Sequence, residues 1–220
     1  MNNIVITGAN RGIGLSFTKQ FQEQGCQVYA ACRQASSELE ASGANIIEGV
    51  DFGDAASVER LGAALSGVGI DLLINNAGVL KNEVLGQIDF ESIQAQIEVN
   101  AYGPLRVTQA LLGNLNDGAK VAMITSRMGS IADNTSGGRY GYRMSKAALN
   151  IASVSIAHDV MHRGIAVGIF HPGLVGTEMI GGFGDITPDQ AAARLRQRID
   201  ELSLENSGTF WHSNGEVLPW

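Results

Sequence analysis

The stretch NIVITGANRGIG, Asn3 to Gly14, joins a short β-rich apolar run to a loop with glycines at 8, 12 and 14, then to a segment of helical period, IGLSFTKQFQEQ. Glycine at those places lets the backbone turn tightly. It also lets a ligand phosphate approach the first helical turn, whose free N–H groups and dipole favour an anion. A glycine loop alone is a weak signal, but one that follows a strand and opens a helix marks a dinucleotide-binding βαβ unit.

The same alternation continues outward. QVYAAC, NIIEGV, DLLIN, KVAMIT and IAVGIF read as strands buried on both faces. Between them lie amphipathic segments that include AASVERLGAAL, FESIQAQIEVNAYGPLRVTQALLGNL and YGYRMSKAALNIASVSIAHDVMH. Strands alternating with helices imply right-handed crossovers. The expectation is α/β: a single doubly wound Rossmann-fold domain over residues 1–220, with a parallel sheet of about seven strands and helices on both faces. GTFWHSNGEVLPW, with its Asn214-Gly215 turn signal, is expected to add an edge strand or hairpin.

Bulk properties narrow the partners. A net charge of −7 and a pI near 5.0 disfavour capture of nucleic acid or of an anionic membrane surface. Cys26 and Cys32 form neither a CxxC pair nor part of a ligand cluster, and read as apolar packing residues in a reducing compartment. No apolar run approaches the ~18 residues of a membrane span, and no leader-like segment precedes the first strand. A soluble, cytoplasmic protein is expected.

Dinucleotide folds declare their cofactor at the end of the second strand, where an acid ~20 residues past the glycines would bind the ribose 2′-hydroxyl. Here the chain reads ACRQ, and the nearest downstream acid, Glu38, lies past the strand end. Arg33 can pair with a 2′-phosphate, and Arg11 in the glycine loop supplies a second cation, so NADP(H) is expected over NAD(H). Asp51 and Phe52 end the third strand near the adenine, and NNAG, Asn75 to Gly78, ends the fourth.

YGYRMSK, Tyr140 to Lys146, carries the chemistry. A phenol titrates near pH 10, so a tyrosine working near pH 7 needs a shift of about three units, roughly 4 kcal/mol. A cation ~4 Å away supplies about that at an effective dielectric of 20. Tyr142 and Lys146 lie about 40° apart around a helix, whereas Tyr140 and Lys146 lie about 240° apart. Tyr142 is therefore the candidate acid/base, and Tyr140 a wall or packing residue. The strand KVAMIT delivers Ser126 to the same rim, where its hydroxyl can hold a carbonyl oxygen. Asn100 is a polar residue in an apolar helical stretch, either bending the helix or anchoring a water near the lysine.

Taken together, these residues resemble the short-chain dehydrogenase/reductase family over nearly the whole chain. TGANRGIG matches its cofactor loop, which places Gly8, Asn10, Arg11, Gly12, Ile13 and Gly14 against the dinucleotide. NNAG matches its fourth-strand motif, with Asn76, Ala77 and Gly78 at the cofactor. Asn100, Ser126, Tyr142 and Lys146 match its catalytic four. HPGLVGT matches the segment after its sixth strand, so Pro172, Gly173, Val175 and Thr177 would line the nicotinamide side. Within the family, SRMGSIADNTSGGRYGYRMSKAALN and NGEVLPW are most similar to the branch of C-factor-like proteins and sniffer-type carbonyl reductases. The resemblance implies that Lys146 binds the nicotinamide ribose and lowers the phenol pKa, and that Asn100 holds a proton-relay water. Thr125 stands where a second serine is frequent, and Phe52 is bulkier than usual beside the adenine. The segment EMIGGFGDI after Thr177, a substrate loop over about residues 178–186, is shorter than the family's usual lid.

The implied activity is reversible hydride transfer between NADP(H) and a small or apolar carbonyl or alcohol, running as a carbonyl reductase. Met179, Phe183, Tyr140 and Trp211 hint at an apolar substrate. The alternative is an NADP-binding signalling protein of C-factor type with little turnover. HDVMH, His158 to His162, mimics a zinc-hydrolase helix, but aspartate replaces the glutamate base and no third ligand is evident, so no metal is expected. The segments Phe90 to Leu115 and Tyr140 to His162 are more apolar than one sheet-facing side requires, and in the resembling family they pack between subunits. A homodimer or homotetramer is expected.

Overall fold

A computed structural model describes residues 2–220. Seven strands, β1 (Asn3–Thr7), β2 (Gln27–Ala31), β3 (Asn45–Ile47), β4 (Ile70–Asn75), β5 (Leu115–Ile124), β6 (Ala166–His171) and β7 (Phe210–His212), form one sheet. Their order is β3-β2-β1-β4-β5-β6-β7, and every neighbouring pair is parallel. The chain leaves β1 in one direction and resumes at β4 in the other, so the strand order reverses between these two. Open α/β sheets bind ligands at the carboxyl ends of strands flanking such a switch.

Seven α-helices cover the two faces: α1 (Gly12–Glu23), α2 (Ser37–Glu40), α3 (Ala55–Ala64), α4 (Phe90–Ile97), α5 (Gly103–Leu111), α6 (Tyr140–Val160) and α7 (Pro188–Asp200). Alternate strand residues feed two cores. Val5, Leu73, Val121 and Val167 meet Leu61 of α3, Leu111 of α5 and Leu149 of α6. Ile4, Ile6, Leu72 and Ala122 meet Phe17 of α1, Leu39 of α2 and Leu195 of α7. A fully buried side chain of this size contributes about 1.5–3 kcal/mol, so each helix is fixed by the few apolar residues it lays on the sheet.

Three boundaries depart from the sequence reading. The segment read as one helix from Phe90 divides into α4, a π-helical turn over Glu98–Tyr102 and α5. Its cause lies in Gly103-Pro104: proline has no N–H to give the carbonyl four residues back, that of Asn100. Gly103 N donates to Glu98 O instead, the wider spacing of a π turn. The four-residue α2 was not anticipated; the Ser36 hydroxyl caps it by accepting from Leu39 N. At the far end β7 adds in parallel to β6, and the chain then turns at Asn214-Gly215 so that Trp211 bridges Val217 antiparallel. Edge strand and short hairpin are both present. Among the described residues, no helix is long and apolar enough to cross a membrane.

Candidate active site

A cleft of about 970 Å³ opens along the carboxyl rim of the sheet. That lies at the upper end of the ~300–1,000 Å³ typical of ligand sites. At one end the β1–α1 loop is held by exact backbone fit. Gly8 has φ +66°, and a Cβ there would lie 2.9 Å from Ala77 Cα. A Cβ on Gly14 would lie 2.2 Å from Gly8 O, so the first turn of α1 rests directly on the loop. Asn76 ties β4 to β1: its Nδ2 donates to Thr7 O and Gly8 O at 3.1 and 3.2 Å, and its N–H donates to the Thr7 hydroxyl. Such a cradle, with Gly12 close under Thr177 and Gly14 packed on Gly8 O, fits a pyrophosphate on a helix N-terminus.

The two arginines differ in what holds them. Arg33 is exposed on the cleft wall, and no acid pairs with it among the described residues. Arg11 instead reaches across the cleft mouth to Glu178, 2.5 Å away. Both partners are more than half exposed, so the pair contributes little, about 0–1 kcal/mol. Asp51 and the buried Phe52 line the same end.

Toward the other end the chemistry-bearing side chains converge. Ser126 follows β5 and is buried; its Oγ accepts from Met128 N at 3.1 Å, and its hydroxyl is one of the influences on the Tyr142 phenol. Thr125, beside it, faces the helix: its hydroxyl donates to Asn150 Oδ1 at 2.7 Å and fastens α6 to the end of β5. Gly141 lets α6 approach α4 closely, because a Cβ there would lie 2.5 Å from Gln96 Nε2. Tyr142 and Lys146 share a helix face, with Nζ 5.9 Å from the ring centroid, and both line the cleft.

Burial raises the Tyr142 phenol above its usual value near 10, while the Ser126 hydroxyl and the Arg139 charge pull it back; Lys146 is not among these main influences. The amine is engaged elsewhere, donating to Ile124 O at 2.9 Å, and burial pushes its own pKa down to about 8. The Asn100 side chain is engaged in the fold itself. Fully buried in the π turn, its side chain clamps Val79, accepting from N and donating to O at 2.8 Å each, and donates to Ser145 Oγ. It stands behind Gly78, where a Cβ would lie 3.2 Å from Asn100 Oδ1 and 3.7 Å from Lys146 Nζ. Its side chain thus shapes the lysine's surroundings from behind the cleft wall.

Every other residue placed at the cofactor or the reaction by sequence lines the cleft except Gly14, which supports the loop from beneath. Of the four aromatic and sulfur hints, only Met179 lines it; Tyr140 and Trp211 are packing residues, and Phe183 projects 79% exposed from the lid. The lid itself is a tight excursion pinned at its neck by the Val175–Ile186 bridge. Sequence reading missed Arg127, Arg139, His171 and His212, which also line the cleft. The two imidazoles meet edge to face at 4.9 Å. Burial pushes His171 down to about 3, with the His212 and Arg127 charges adding, and its Nδ1 is buried without a hydrogen-bond partner.

A trough of this construction at a sheet's switch point is how open α/β folds hold dinucleotides, which fixes the class of protein. Comparison with known proteins narrows it: the chain belongs to the short-chain dehydrogenase family, a family of oxidoreductases, whose model matches residues 2–185. It is 44% identical to 1-hydroxy-2-glutathionyl-2-methyl-3-butene dehydrogenase of Rhodococcus sp. (strain AD45) over 226 aligned residues, covering all of both chains. It is 46% identical to the C-signal of Myxococcus xanthus over 155 residues, which covers 69% of this chain and 93% of the other. Among solved structures, the NADPH-bound carbonyl reductase from chicken fatty liver superimposes with a TM-score of 0.91 at 29% identity, covering 100% of this chain and 99% of that one. Carbonyl reductase Sniffer of D. melanogaster does so with 0.92 at 28%, covering all of both chains. The sniffer-like and C-factor-like resemblance read from the sequence is borne out.

Proposed function

We propose that this protein is an NADP(H)-dependent oxidoreductase that interconverts a carbonyl and an alcohol, with Tyr142 as acid/base. One observation carries the reading: Ser126, Tyr142 and Lys146 line the same cleft that the glycine loop opens. A dinucleotide bound there would supply the hydride. Ser126 and Tyr142 hold the substrate oxygen, and Tyr142 gives it a proton in reduction or takes one in oxidation. Their burial excludes water from that oxygen and strengthens both hydrogen bonds. Lys146, whose amine donates to the Ile124 carbonyl, would hold the nicotinamide ribose, and its charge beside the ring would favour the phenolate. Arg33 would pair with the 2′-phosphate. NADPH in the solved chicken neighbour supports this cofactor.

Tyr142→Phe should lower kcat for carbonyl reduction about 10²–10⁴-fold while leaving the NADPH dissociation constant, read by nucleotide fluorescence, within about twofold. Turnover above a tenth of wild type would overturn the assignment. The likeness to C-signal favours a second reading, a dinucleotide-binding signalling protein with little turnover; a panel of aldehydes, ketones and quinones separates the two by whether the wild type oxidises NADPH at all.

The same reading includes self-association in a soluble, cytoplasmic protein. Phe90 of α4, Tyr102 of the π turn, Leu105 of α5, and Met144 and Ile151 of α6 are exposed by 41–76%. Clustered apolar exposure of this kind marks an interface, and a homodimer or homotetramer would cover it. Light scattering at micromolar concentration should return at least twice the 23.2 kDa chain mass; a monomer mass would refute this.

A further inference from the structure

The substrate half of the cleft is largely apolar, walled by Leu80, Met128, Leu174, Met179 and Ile180. Two guanidinium groups interrupt that wall, and they are not equivalent. Arg127 is neutralised by Asp133 Oδ2 at 2.5 Å, with Glu216 Oε1 at 3.9 Å. Arg139 has no carboxylate within ion-pair distance among the described residues. Its Nη1 lies 3.6 Å from Met128 Sδ, a weak acceptor that leaves the charge unmatched.

The backbone that presents Arg139 is costly. At φ 51° and ψ 48° it is the single non-glycine residue with positive φ among the described residues, a conformation that costs an L side chain about 1–2 kcal/mol. Gly137 and Gly138 adopt the same region without that penalty, so the turn itself does not call for an arginine. The surroundings hold the strained residue in place. Its N–H donates to Glu83 O, while the buried Glu83 carboxylate accepts from Gly141 N, Ser92 Oγ and Gln96 Nε2. The Arg143 guanidinium donates to the carbonyls of Gly137 and Gly138 from the other side. An over-determined strained residue at a cleft is where strain serves a site. Its charge reaches the reacting group, since Arg139 is one of the influences that pull the Tyr142 phenol down.

We propose that Arg139 is the anion-recognition residue of the substrate site, and that the substrate carries a carboxylate joined through an apolar spacer to the carbonyl or alcohol carbon held by Ser126 and Tyr142. The spacer matches the Leu80–Met128–Met179 wall. In a chain of net charge −7, an anion approaching the cleft needs a local unpaired cation, and Arg139 is placed to be one. This inference rests on the carbonyl-reductase reading.

Matched aldehydes test it: 4-carboxybenzaldehyde against its methyl ester, with NADPH oxidation followed for the wild type, Arg139→Gln and Arg139→Lys. The wild type should favour the acid in kcat/KM by about tenfold or more, and that preference should shrink as salt rises from about 0.05 to 0.5 M. Arg139→Gln should bring the acid-to-ester ratio near one, and Arg139→Lys should restore part of it. Equal kcat/KM for acid and ester in the wild type overturns the proposal, as does a preference that neither salt nor Arg139→Gln reduces. The salt series needs no variant and decides the matter should Arg139→Gln fail to fold. A wild type that binds NADPH and reduces neither aldehyde refutes the reductase reading itself, a result distinct from turnover without discrimination.

Discussion

The two halves of the cleft are built in opposite ways. At the glycine-loop end, the backbone of Gly8 and Gly14 and the Asn76 amide satisfy one another, and the charged groups, Arg11 and Arg33, stay in solvent. At the Tyr142 end, a buried amine, a buried phenol and a half-buried imidazole whose Nδ1 is buried without a partner share one wall. The first half can be made without burying charge. The second holds groups that would each be more comfortable in water, and their discomfort keeps them reactive. Function and stability therefore trade against each other at one end of the cleft and barely at the other.

Lys146→Met tests this contrast most severely. Activity should fall by at least about 10³-fold, yet the ligand-free protein should become more stable. A pKa lowered from 10.5 to about 8 corresponds to about 3 kcal/mol of disfavoured charge. The lost hydrogen bond to Ile124 O returns about 1 kcal/mol of that. A rise of about 4–8 °C in melting temperature is expected. The sign with pH follows from proton counting. The unfolded chain holds the lysine proton up to about 10.5 and the folded one only to about 8, so the wild type gains stability relative to Lys146→Met as pH rises through that window. Melting temperatures of both proteins at pH 7, 9 and 10.5 should converge. A constant gap would mean that the amine carries no strain.

A milder probe acts on the other half. Arg33→Asp should weaken NADPH binding by about 10–100-fold, leave NADH within about threefold, and shift the melting temperature of the ligand-free protein by less than about 1 °C, because Arg33 is exposed and unpaired. An unchanged nucleotide preference, read by titration with both nucleotides, would remove Arg33 as the 2′-phosphate reader. A marked loss of stability would erase the contrast between the halves.

The contrast also explains what the amino-acid sequence reveals. The glycine-loop end is encoded by contiguous residues whose spacing carries its own reason, and TGANRGIG and NNAG meet at one end of the cleft. Tyr142 and Lys146 were separable from Tyr140 because helical phase is local arithmetic. What escaped depends on residues far apart in the chain. Glu83 holds Arg139 and Gly141 from more than fifty residues away in the chain, and nothing near Glu83 announces that task. The upward shift of the Tyr142 phenol follows from burial, and the Lys146 amine is turned to Ile124 O; spacing can show neither. The π turn stayed hidden because its apolar period runs unbroken through Asn100, and only Gly103-Pro104 hinted at it.

One quiet pair of side chains bears on life in a changing medium. His171 and His212 line the wall beside Arg127, and both are held below the ordinary imidazole range, His171 down to about 3. Imidazoles usually act as proton sensors in acidifying surroundings, but burial keeps the His171 ring neutral through a mild acid shock. No positive charge then arises at that point of the wall. Any acid response of the cleft has to be read at a group other than the His171 ring.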